Sequence, residues 1–131
     1  MRSKLFIVLL AGALFLIPLL SGCSQSRTYY GAFNKDMGGN VYAFLMIKDD
    51  GKAEIHFLRE KENAEGTYVR DGDHLAMTFP DVHEPKQFLS LDVTENHTDS
   101  GWVVEGKFHW DFGGKLGIDG TLKMTEYKGE Q

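Results

Sequence analysis

His109 has the most chemistry around it, because Glu105, Lys107 and Asp111 flank it at two-residue spacing and fall with it on one face of an extended strand. Imidazole beside carboxylates can pass protons or hold a metal ion, which would make this row the site of a hydrolase. The outer face of an antiparallel sheet is also normally charged, and that reading accounts for the same residues without any reaction. His56 with Glu54 and His74 beside Asp73 pose the same choice, while His83 and His97 fall in loops. Asp71-Gly72-Asp73 has the flavour of a calcium loop but too few oxygens for the six to eight ligands calcium takes, and reads as a hairpin turn. No Cys, Ser or Lys sits in a nucleophile motif, and no two histidines share a strand face at metal-ligand spacing. The expectation is a protein without catalytic residues, metal or cofactor.

A second set of residues points to binding. Tyr42, Phe44, Trp102, Phe108 and Trp110, with Phe112 beside them, could form a face for an apolar ligand or a protein partner. They could equally fill the interior of a small barrel, since such barrels are normally packed with their own side chains.

The elements that must carry these residues read as strand after strand, with apolar residues at every second position and Gly, Asp, Asn and Pro between the runs. Tyr29 to Phe33 is a short first strand. Val41 to Lys48 is apolar on both faces, with Val41, Ala43, Leu45 and Ile47 on one side and Tyr42, Phe44 and Met46 on the other, so one face could meet a ligand or partner. Asp49-Asp50-Gly51 is a tight turn into Lys52 to Phe57. Gly66 to Arg70, His74 to Phe79 and Gln87 to Thr94 follow, with polar loops predicted at Glu60 to Glu65, Pro80 to Pro85 and Glu95 to Gly101. In the last pair, Trp102, Val104, Gly106, Phe108 and Trp110 share a face, and Leu116, Ile118, Gly120, Leu122 and Met124 answer them. About eight strands with short connections predict an all-β antiparallel meander, closed into a small barrel to remove its edges, with a β-sandwich or curved open sheet as the alternatives. Gly106 and Gly120 are mid-strand, where a missing side chain permits sharp coiling.

Ahead of this domain stands a different kind of sequence. Arg2 and Lys4 precede an apolar run, Leu5 to Leu19, and small residues then lead to Cys23, the one cysteine of the 131 residues. Positive flank, short apolar core and small-residue cleavage site are the order of a secretory signal. The run is shorter than the roughly 20 residues of a membrane span and carries Pro18 near its end. Leu20-Ser21-Gly22-Cys23 resembles the lipobox of bacterial lipoprotein precursors. That resemblance implies a signal helix, residues 1–22, removed after a lipid is attached to the Cys23 thiol, and a new amino terminus that is acylated in turn. One acyl chain holds a membrane only marginally, at ~0.8 kcal/mol per buried CH₂, whereas two or three on one residue hold stably. Ser24 after the cysteine resembles lipoproteins sorted to the outer membrane, facing the periplasm; the outer face of a Gram-positive plasma membrane is the alternative.

Residues 23–28 would then be a lipidated tether and 29–127 the β domain. The leader holds two of the 14 basic residues and none of the 19 acidic ones, so the 109 residues that follow it carry a net charge of −7. An acidic surface argues against nucleic acid and against a polybasic grip on lipid. With Cys23 used for the anchor, the domain must stand on packing and sheet hydrogen bonds.

Tyr30-Gly31-Ala32-Phe33 is similar to the Gly-x-Trp opening of lipocalins, with Phe33 at the Trp position, and the Gly66-Thr67-Tyr68 strand start is followed by Gly72-Asp73. The domain loosely resembles small bacterial lipoproteins built on lipocalin-like barrels. The resemblance implies a non-enzymatic envelope protein, held to the membrane through Cys23, that binds an envelope protein or a small hydrophobic molecule. A lipocalin-type carrier with an internal cavity and a hydrolase using the His109 face are the alternatives.

Overall fold

The alternation of apolar and polar residues becomes eight strands in a computed structural model of the chain, which describes residues 26–59, 63–82, 87–113 and 116–129. The signal segment 1–22 and the lipobox cysteine Cys23 expected from the sequence, and His83, lie outside the described residues. The strands are β1 (Arg27–Lys35), β2 (Asn40–Ile47), β3 (Lys52–Phe57), β4 (Ala64–Asp71), β5 (His74–Phe79), β6 (Phe88–Thr98), β7 (Gly101–Gly113) and β8 (Leu116–Glu126). Each pairs antiparallel with the next, and β8 returns to pair with β1, from Tyr29 opposite Glu126 to Lys35 opposite Gly120. The sheet is therefore a closed eight-stranded meander of lipocalin-like form, neither a sandwich nor an open sheet. Closure leaves no exposed edge to recruit another strand.

Turn chemistry sets the short hairpins. Gly51 and Gly72 take positive φ, at 86° and 67°, which the Asp-Asp-Gly and Asp-Gly-Asp turns supply without a Cβ penalty. The mid-strand glycines Gly106 and Gly120 lie where a neighbouring backbone comes close. A Cβ on Gly120 would stand 2.1 Å from the Asn34 carbonyl oxygen and 2.7 Å from the Phe108 ring, so Gly120 lets the aromatic ring lie flat against the wall.

The inward positions are those of the sequence pattern. Ala43, Leu45 and Ile47 of β2, Leu75, Met77 and Phe79 of β5, and Leu89, Leu91 and Val93 of β6 are all buried. Phe33 meets Phe57 at 5.5 Å and Phe108 at 5.1 Å between ring centres, filling the middle of the barrel. Burying each such side chain contributes about 1.5–3 kcal/mol, which is how the sheet holds without a disulfide.

Several strands run further than the sequence pattern indicated. The polar loop predicted from Glu95 to Gly101 is mostly strand: β6 continues to Thr98, and only Asp99 and Ser100 turn the chain into β7. The reason is that Asn96, His97 and Thr98 pair with Val103, Trp102 and Gly101, a ladder long enough to hold polar residues in extended form. His97, expected in a loop, is thus a strand residue with its ring edge-on to Trp102 at 5.0 Å.

Candidate functional site

Strand parity distributes the five aromatic residues of the predicted binding face among four places. Tyr42 and Phe44 occupy even positions of β2 and point outward, because the odd positions 41 to 47 serve the core. Phe108 is buried in the barrel centre. Trp102 and Trp110, at the two ends of β7, lie at opposite ends of the barrel and pack against the core there. The structure does not bring the five together into one face.

Trp110 is the member that helps form a recess. At the mouth of the barrel away from the β1 start, Val41, Phe57, Arg59, Val82, Gln87, Trp110 and Phe112 line a hollow of about 290 Å³. Its floor is a run of rings: Phe112 at 5.9 Å from Trp110, Trp110 stacked on Phe57 at 4.9 Å, and Phe57 on Phe33 below. The indole Nε1 donates to Gln87 Oε1 at 2.7 Å, which fixes the ring's orientation. Arg59, exposed at the rim, adds a positive charge. An apolar floor with a few convergent polar groups is the make-up of a small-ligand site, and the volume lies at the small end of such sites.

The opposite end is closed by charge. Glu95 is 3% exposed and projects inward, since position 95 continues the inward series of Leu89, Leu91 and Val93. Its carboxylate accepts from Arg70 Nη2 at 2.9 Å and from the Tyr29 hydroxyl, and Arg27 Nη1 lies 3.5 Å away. Arg27 in turn stacks over Trp102 at 3.7 Å. Burial, and then the bond to Glu95, push the Tyr29 hydroxyl far above its ordinary pKa. This network was the residue set that sequence reading missed. The signal was present in the parity of position 95, masked by the polar run that follows it.

The His109 row is rearranged across strands. His109 Nδ1 is 2.6 Å from Asp119 Oδ1 on β8, and the ring leans over Gly117 of the same strand. The Nδ1 partner thus comes from the neighbouring strand. The pairing has a simple cause: residues directly opposite across strands lie closer than residues two apart along one strand, and His109 is paired with Asp119. His74 likewise bonds to Asp92 and not to Asp73, and His56 bonds to Asn63, which donates to Glu54 at 3.3 Å. His74, Asp92, Lys107, His109 and Asp119 border an open groove of about 590 Å³ on the outer wall. Ser90 is paired with His109 across β6 and β7, while the imidazole Nδ1 is engaged by Asp119 on β8. The pairs dress the wall with charge.

No protein-family model, curated protein or solved structure matches this chain.

Proposed function

We propose that this chain is a lipid-anchored, non-enzymatic protein of the bacterial cell envelope whose barrel takes a small apolar ligand at the mouth framed by Phe57, Trp110 and Phe112. The anchor rests on Leu20-Ser21-Gly22-Cys23 behind an apolar leader. The single observation that carries the binding role is the 290 Å³ aromatic recess, which lies at the surface while the barrel centre below it is occupied by Phe33, Phe57 and Phe108. A small ring system or short alkyl chain seated there would lose water-exposed area against four aromatic or aliphatic walls. A deep internal carrier cavity has no such support, and neither does hydrolysis at His109.

The barrel closes within Arg27–Glu126, so a chain beginning at Ser24 retains every described strand. Titrating it with a polyene fatty acid that accepts energy from tryptophan tests the site. Saturable transfer is expected, kept in Trp102→Phe and lost in Trp110→Phe; no transfer at any concentration sinks the ligand reading. Labelling cells with radioactive palmitate tests the anchor separately, with uptake abolished by Cys23→Ala.

A further inference from the structure

We infer that the outer wall of β1 and β2 is a bilayer-docking surface, so that the anchored barrel lies on its side against the lipid headgroups; the inference rests on the lipid anchor proposed above. The wall is an aromatic cluster where a charged face is the rule. Tyr30 stacks on Tyr42 at 6.0 Å and packs tilted against Phe44 at 4.9 Å, and Phe44 meets Tyr127 edge-on at 5.0 Å. Tyr42 and Tyr127 remain 46% and 42% exposed. None of the outward positions of β1 or β2 carries a charge, in a domain with a net charge of −7. Across the barrel, by contrast, the outer wall of β4 to β6 carries Glu65, Asp71 and Asp92 in exposed positions.

The tether makes the orientation a choice between two surfaces. Cys23 is four residues from Arg27, at most ~14 Å of extended chain, so part of the barrel must touch the membrane that holds the lipid. Docking end-on would press the turns around the β1 start onto the bilayer. Those turns hold Asp49, Asp50, Asp71, Asp73 and Asp99, all exposed, and an anionic lipid surface repels them. The β1–β2 wall begins beside the same tether and meets no such penalty. Tyrosine has an apolar ring and a polar tip and is enriched at membrane interfaces for that reason. Lys123, exposed on β8 opposite Ala32, flanks the wall and can reach phosphate headgroups.

The test uses the lipidated full-length protein in vesicles of phosphatidylethanolamine and phosphatidylglycerol. Because lipidation consumes the Cys23 thiol, a single introduced cysteine can carry a nitroxide at Tyr42→Cys, Thr125→Cys or, across the barrel on β5, Ala76→Cys. All three positions are exposed, and Thr125 lies across from Tyr30, so it serves as a second probe should the Tyr42 variant misfold. The expected result is a ratio of collisions with oxygen to collisions with a water-soluble nickel chelate that is several-fold higher at 42 and 125 than at 76. Equal ratios in protein that floats with the vesicles overturn the docking surface and leave the anchor standing. Protein that does not float overturns the anchor, and the docking surface with it. A label at 42 shielded from both reagents, in protein that behaves as a dimer, overturns it in favour of a second copy on the same wall.

Discussion

The two ends of the barrel are closed by opposite chemistry. At the end where β1 begins, one buried carboxylate is held by two guanidiniums and a phenol. At the mouth, Phe57, Trp110 and Phe112 close the end by ring packing, with Trp110 donating to Gln87. Opening the charged end strands buried polar groups, which is expensive. Opening the aromatic end parts apolar surfaces that a ligand's own apolar surface can cover again. The comparison teaches why the charged end should resist opening and why the proposed ligand site lies at the aromatic mouth.

Removing the centre of the charged end should have the largest effect. Glu95→Ala leaves the fully buried Tyr29 hydroxyl without its acceptor and two guanidiniums without their counter-charge. With the side chains of Arg27 and Arg70 23% and 41% exposed and able to reach water, the loss belongs at the low end of the range for a broken buried pair. Urea unfolding should show about 3 kcal/mol less stability. Glu95→Gln, which keeps an acceptor, should lose less.

At the other end, Trp110→Ala should cost about 2 kcal/mol, below the range for a wholly buried aromatic because the indole is only half-buried. Its near-native unfolding cooperativity, set beside lost ligand response, would separate the two ends. A loss as large as that of Glu95→Ala would break the comparison.

The smallest effect is a pH dependence confined to the charged end. The Tyr29 pKa is raised from 10.0, so the folded protein keeps this proton at pH values where the unfolded chain releases it. The stabilisation is therefore whole below pH 10 and drains away as pH rises above it. Tyr29→Phe should abolish that alkaline decline in an unfolding series, and in the parent protein one phenolate should appear only as the barrel opens.

How much was legible beforehand follows from the range of each interaction. Leu75, Met77 and Phe79 could be assigned to the interior because side-chain direction alternates strictly along a strand and needs no knowledge of neighbours. Tyr42 and Phe44 could not be assigned, because β2 is apolar on both faces and composition alone does not say which one the core takes. Glu95 was obscured by the polar residues that follow it, although its parity with Val93 pointed inward.

The amino-acid order by itself determined the strands, their turns and the in-or-out sense of most positions, since hydrophobic period and turn chemistry act over a few residues. It also determined that a lipobox-like tetrapeptide precedes the β domain. Only the tertiary structure decided that β8 closes onto β1, that Glu95 meets Tyr29 across 66 residues of chain, and that His109 turns to Asp119. Those contacts depend on register and on barrel coiling, which emerge when all eight strands are packed at once.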